Sequence, residues 1–157
     1  MAKKNKVLAI SSPGGHWIQL NKICNEMENR FDVVYATPGT QYSSKNSNRK
    51  IHNITDASAD SKLKLIPLAL QLLFLMIKER PTAIISTGAA PGAIAILIAK
   101  FLPIKTIWVD SIANTTVLSR SGRMVKKHAD LVVTQWEPLS DGENIVYKGS
   151  ILWFLSR

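Results

Sequence analysis

Apolar and polar residues alternate along this chain in two rhythms. Unbroken apolar runs recur at "KVLAIS" (6–11), "FDVVYATP" (31–38), "TAIIS" (82–86), "KTIWVD" (105–110) and "LVVTQW" (131–136). Each is rich in β-branched or aromatic residues and ends near turn-forming ones, which predicts strands buried on both faces. Between the runs the spacing changes: Trp17, Leu20, Ile23, Cys24 and Met27 fall at helical intervals after the first strand. Further helices are predicted from about Leu63 to Lys78 and over "PGAIAILIAKFL" (91–102), where a proline suits the first turn. A short basic helix is predicted within "GRMVKKHAD" (122–130). "IHNI" (51–54) and "IVYKGS" (145–150) predict short strands, and the polar "GTQYSSKNSNRK" (39–50) an exposed, mobile loop. Strands alternating with helices at this spacing predict an α/β fold with a Rossmann-like, mostly parallel sheet and helices on both faces. No internal repeat, linker or low-complexity tract interrupts the pattern, so residues 1–157 are expected to form one domain.

Two apolar stretches must be weighed as membrane spans. Residues 81–99 carry no charge and exceed the roughly 18 residues a span needs. "STGAAPG" in their middle breaks a helix, so strand, turn and buried helix fit better. "LIPLALQLLFLMI" (65–77) is too short to span and contains Pro67 and Gln71. A helix apolar on every side belongs in a core, in a membrane interface or against a partner. Lys62, Lys64, Lys78 and Arg80 flank it as they would flank a helix resting on anionic lipid.

Composition narrows the setting. Apolar residues make up 46% and charged ones 20%, the balance of a globular chain rather than a disordered one. Cys24 is the lone cysteine, which excludes a disulfide framework and suits a reducing compartment. "MAKKNKVLAISS" lacks the apolar core of a secretory signal, so a cytoplasmic protein is expected. A net charge of +9 calls for an anionic partner or a solvated basic face. The basic residues cluster at Lys3, Lys4 and Lys6 and at Arg120, Arg123, Lys126, Lys127 and His128. Aromatics are not interleaved with them and no recognition motif appears, so nucleic acid is not the expected partner.

In an open parallel sheet, ligands bind where strand C-termini meet helix N-termini. Three features fall on that edge: Pro13-Gly14-Gly15-His16, Ser86-Thr87-Gly88 with Pro91-Gly92, and Asp110-Ser111. Glycines admit close backbone approach, and helix N-terminal N–H groups favour phosphate; turns use the same residues for purely local reasons. His16 qualifies as a general base, its ordinary pKa being near 6.5, or as a polar cap on its own helix. Asp110 qualifies as a proton acceptor, or as a structural hydrogen-bond acceptor for a neighbouring loop. His52 and His128 have no partner at ligand spacing, and there is no Asp-x-Asp pair, so no metal is expected. G-x-x-x-x-G-K-[ST], G-x-G-x-x-G and G-x-S-x-G are all missing, which removes the P-loop, dinucleotide and nucleophile-elbow readings and with them an expected cofactor.

Taken in order, "SPGGHWIQL", "STGAAPGAIAILIAKFL", "IWVDSIANTTVLSRSGRMVKKHADLVVTQWEPL" and "YKGSIL" resemble the Alg14-like oligosaccharide biosynthesis proteins and their bacterial PssD-type exopolysaccharide relatives. Where the eukaryotic pattern has Glu-Ser and then Arg, Asp110-Ser111 and Asn114 stand here, and an N-terminal membrane anchor like that of eukaryotic members is not expected from "MAKKNKVLAISS". The resemblance implies the N-terminal, acceptor-side domain of a GT-B glycosyltransferase similar to MurG. It implies a separate donor-binding subunit of Alg13 or PssE type that grips the UDP-sugar. Such a pair transfers sugar to a lipid-diphosphate acceptor at the cytoplasmic membrane face without metal. On that reading Gly14 and Gly15 hold the lipid diphosphate, and His16 is base or orienting group. Thr87, Gly88, Asp110 and Ser111 line the cleft, and the basic patches with the 65–77 helix dock on an anionic membrane surface. The alternative is a non-catalytic scaffold that recruits a complete glycosyltransferase, in which the Gly-Gly-His turn is structural.

Overall fold

The computed structural model describes residues 4–39, 48–58 and 61–151. Seven strands are present: β1 (Lys6–Ile10), β2 (Asp32–Thr37), β3 (Lys50–Asn53), β4 (Ala83–Ser86), β5 (Lys105–Val109), β6 (Leu131–Thr134) and β7 (Ile145–Tyr147). They form one sheet in the order β3-β2-β1-β4-β5-β6-β7, and every neighbouring pair is parallel. The helices are α1 (Gly15–Met27), α2 (Lys62–Glu79), α3 (Ala89–Ala99) and α4 (Arg120–Val125).

Successive strand residues point to opposite faces, and both sets are apolar here. Leu8, Ile10, Val34, Ala36 and Ile84 pack under Leu68, Leu72, Leu75 and Met76 of α2 and Ala95 and Ala99 of α3. Val7, Ala9, Val33, Tyr35 and Ile85 pack under Leu20 and Cys24 of α1. Ala93 and Ile96 of α3 join Trp108, Val132 and Val125 of α4 in a third cluster. Two covered faces explain why the strands read as unbroken apolar runs. The cover is uneven: α2, α3 and α4 share one face, while α1 alone sits on the other among the described residues. A cavity of about 650 Å³, lined by Ile107, Val109 and Val133 together with Ile23 and Tyr147, marks the thinly covered stretch.

The predicted elements appear with shifted ends. Helix α1 starts at Gly15, two residues before the apolar spacing begins. Helix α2 runs through Pro67, where burial of Leu68, Leu72, Leu75 and Met76 offsets the roughly 3 kcal/mol that an interior proline costs. Helix α3 begins at Ala89, placing Pro91 in its first turn, and stops at Ala99. Residues 122–130 are corrected more heavily: α4 starts at Arg120 because the Ser119 hydroxyl caps it by accepting the Gly122 N–H, and it ends at Val125. Strands β6 and β7 are shorter than the runs that predict them, and a single 3-10 turn over Glu137–Leu139 was not anticipated. Most of the predicted loop (residues 40–47), Lys3 of the N-terminal basic cluster and the 152–157 tail lie outside the described residues.

Candidate functional site

Strand order reverses between β1 and β4: the chain leaves β1 toward β2 and later returns to pair β4 on the other side. Helices that start from these two neighbouring strands diverge, which leaves a crevice beyond their C-terminal ends. Ile10 and Ser86 are register partners, so the turns that follow them, Ser11–Gly14 and Thr87–Gly88, lie side by side. Each ends in a glycine that heads a helix: Gly14 precedes α1 at φ 78° and Gly88 precedes α3 at φ 147°. Neither helix has a side-chain cap. Two helix N-termini, each carrying the partial positive charge of its peptide dipoles, therefore converge on one edge of the sheet.

A reciprocal clasp locks the two turns together. The Thr87 hydroxyl donates to the His16 carbonyl at 2.7 Å, and His16 Nδ1 lies 2.9 Å from the Thr87 carbonyl. A carbonyl can only accept, so Nδ1 carries the hydrogen and the neutral ring keeps its lone pair on Nε2. The ring occupies the space that a side chain on Gly88 would take. A Cβ built on Gly88 would stand 2.3 Å from His16 Cε1 and 2.4 Å from Nδ1, distances no side chain tolerates. Gly88 is thus required twice, for its positive φ and for the space it leaves the imidazole. His16 is half-buried, with Nε2 making no hydrogen bond among the described residues.

Asp110 lies beyond β5 on the same sheet edge but points inward. It is 1% exposed. Oδ1 accepts from Trp108 Nε1 at 2.9 Å and from the Ser119 hydroxyl at 2.6 Å, and Oδ2 accepts from the Ser119 N–H at 2.8 Å. With three donors already on it, this carboxylate matches the structural option, an anchor for the loop that starts α4. Its backbone carbonyl is a second junction, accepting from Gln19 Nε2 of α1 and Gln135 Nε2 after β6, both at 3.1 Å. Ser111 sits in the following turn, where its hydroxyl accepts the Ala113 N–H at 3.3 Å and its carbonyl the Asn114 N–H.

The structure therefore brings Gly14, Gly15, His16, Thr87 and Gly88 into one cluster and assigns Asp110 and Ser111 to an adjoining network. The residues that sequence reasoning passed over are Gln19, Ser119 and Gln135. Ser119 had a readable signal, since a serine three residues before the Gly122 N–H it serves is an N-cap pattern. The two glutamines had none: each acts through a partner 91 or 25 residues away. Among the described residues no group of His, Cys, Asp and Glu is placed to hold a metal ion. No helix of these residues is long and apolar enough to cross a membrane.

Comparison with known proteins bears on the fold and the family. In the solved MurG of Acinetobacter baumannii, a likeness covers 92% of this chain and 45% of that one, with a TM-score of 0.78 at 14% identity. A UDP-N-acetylglucosamine 2-epimerase from Rickettsia bellii matches 97% of this chain and 46% of its own, with a TM-score of 0.72 at 15% identity. Such identities speak for fold alone: a Rossmann-like parallel sheet with helices on both faces, which this chain shares with part of MurG. The UDP-N-acetylglucosamine transferase subunit ALG14 of Cryptococcus neoformans var. neoformans serotype D (strain B-3501A) is 30% identical over 103 residues, which cover 59% of this chain and 45% of that protein. The chain thus spans less than half the length of this curated relative. Residues 47–151, well over half of the chain, match the family described as "Oligosaccharide biosynthesis protein Alg14 like"; the chain belongs to that family.

Proposed function

We propose that this chain is the acceptor-binding, membrane-associating subunit of a two-component glycosyltransferase. A separate donor-binding subunit of Alg13 or PssE type holds a UDP-sugar, GlcNAc-like or uronic, and the sugar is transferred to a diphosphate-linked lipid at the inner face of the cell membrane. The observation that carries this reading is the clasp at the sheet's switch point: two uncapped, glycine-headed helix N-termini with one imidazole fastened between them. The name of the related Cryptococcus subunit, a UDP-N-acetylglucosamine transferase subunit, supports it.

In this mechanism the backbone N–H groups at Gly14 and Gly15, aided by the α1 dipole, hold the acceptor diphosphate. Thr87 fixes the ring through Nδ1–H, so His16 Nε2 faces the acceptor hydroxyl as a base. The hydroxyl oxygen attacks the anomeric carbon and its proton passes to Nε2. The bond from that carbon to the UDP oxygen breaks, and configuration inverts. Gly88 and Ser111 line the cleft, and Asp110 acts as a positioning residue that ties α1, β5 and α4 together. The donor subunit closes the open edge and excludes water. Lys62, Lys64, Lys78 and Arg80, at the two ends of α2, face anionic lipid. In the reconstituted pair, His16→Ala lowers turnover by about 100-fold or more, the scale of general-base removal, with subunit association unchanged. Unaltered turnover would instead favour the scaffold, in which the Gly-Gly-His turn is only structural.

A further inference from the structure

Helix α2 carries a stripe that nothing in the described fold covers: Leu63, Ile66, Leu70, Phe74 and Ile77 are between 62% and 88% exposed. At its N-terminal end the stripe runs into a cavity of about 970 Å³ between α2, α3 and α4, at the upper end of the size of small-molecule sites. Ala90 and Ala93 of α3 form its floor, and Leu65, Ile66 and Met124 its walls. Pro13, the residue before Gly14, also lines it. Lys62 and Arg120 also line it, against Asp56 as the one acid among the described lining residues. Neither cation makes an ion pair among the described residues.

We propose that this cavity receives the first segment of the acceptor's hydrocarbon chain, leading it from the diphosphate at the head of α1 to the membrane under α2. Three observations converge on this occupant. The cavity is lined by Pro13, next to the turn proposed to hold the diphosphate; it is mostly apolar with Lys62 and Arg120 on its wall; and it shares Ile66 with the exposed apolar face of α2. A water-soluble ligand gains nothing from that last continuity, whereas a lipid whose other end stays in the bilayer requires it. Small alanine side chains line it, so a larger side chain there takes up space in the groove. The inference rests on the diphosphate reading of that turn.

The test uses the full chain, with farnesyl diphosphate, farnesol and inorganic diphosphate as probes, in wild type, Ala90→Trp and Met124→Asp. Met124 is 50% exposed, so its replacement leaves folding intact even where the bulkier Ala90→Trp disturbs it; circular dichroism checks both. Wild type binds farnesyl diphosphate at least tenfold more tightly than inorganic diphosphate. Each substitution erases that gain while affinity for inorganic diphosphate stays the same. Equal affinity of the two diphosphates in wild type, or a gain that survives both substitutions, overturns the proposal. Preferential binding of an apolar peptide over farnesol at this site overturns it as well. If farnesol binds and both variants abolish its binding, but inorganic diphosphate does not bind at all, the groove stands and the diphosphate reading falls.

Discussion

His16 is fastened at one ring nitrogen and open at the other, and its neighbours keep it so. Gly88→Ala would force a Cβ to 2.3 Å from the ring and burden a backbone at φ 147°. The expected outcome is displacement of the imidazole, with turnover of the reconstituted pair falling tenfold or more while the far-UV spectrum is retained; wild-type turnover would show that the ring's placement is immaterial. Asp110 belongs to stability. Asp110→Ala strands the Trp108 indole N–H and both Ser119 donors in a buried site, which should lower unfolding free energy by on the order of 3 kcal/mol in urea denaturation. Part of this network was open to sequence reasoning. Trp108 and Asp110 stand two apart where β5 runs out into its loop, a spacing that keeps both on one face while the chain stays extended, so their contact was readable. The His16–Thr87 clasp was not, because it joins groups 71 residues apart and depends on which strands become neighbours. The glycines were legible as a turn, while the need for Gly88 under the imidazole arises only from packing.

Helices and strands were readable where burial dictates the pattern. Both faces of β1, β2 and β4 are covered, so their runs are apolar throughout, and parallel pairing followed from the intervening helices. Boundaries were less readable, since caps decide them: Ser119 moves the start of α4 to Arg120, and Gly14 sets α1 ahead of its apolar spacing. Helix α2, apolar on every side in sequence, proves to have two kinds of face. One packs in the core through Leu68, Leu72, Leu75 and Met76, and the other leaves Leu70 and Phe74 more than 60% exposed. Neither the core reading nor the interface reading was complete alone. A Leu70→Asp, Phe74→Asp double variant should bind vesicles containing phosphatidylglycerol at least tenfold more weakly, as two apolar side chains inserted in lipid contribute about 1.5–3 kcal/mol each. Its melting temperature should barely change, because both residues are exposed; unchanged vesicle binding would remove α2 from the membrane contact.

The molecule as a whole is held at the sheet edge opposite the site by one buried carboxylate. Glu79, at the end of α2, accepts from Lys6 of β1 at 3.0 Å, pairs with Lys50 of β3 at 2.7 Å and lies 3.0 Å from His52 Nε2. Burial alone would raise its pKa, but the hydrogen bonds from Lys50, Lys6 and His52, with the charge of Lys50, bring it down from 4.5 to about 2. A depressed folded-state pKa gives stability that is complete above the unfolded value and lost on acidification. Unfolding free energy should therefore fall by on the order of 3 kcal/mol between about pH 4.5 and 2. Glu79→Gln should flatten that dependence in urea titrations; an acid slope identical to wild type would remove Glu79 as its source.

On the proposed function, this sheet with its open switch-point edge binds the acceptor and transfers sugar only together with a donor-binding subunit. The direct measurement is transfer of radiolabelled sugar from UDP-GlcNAc to a polyprenyl-diphosphate acceptor by this chain, by its donor-binding partner, and by the two mixed, with wild-type chain and with His16→Ala. Transfer is expected only in the wild-type mixture, falling about 100-fold with His16→Ala although the subunits still associate. Transfer by either chain alone, or equal transfer with His16→Ala, would contradict it.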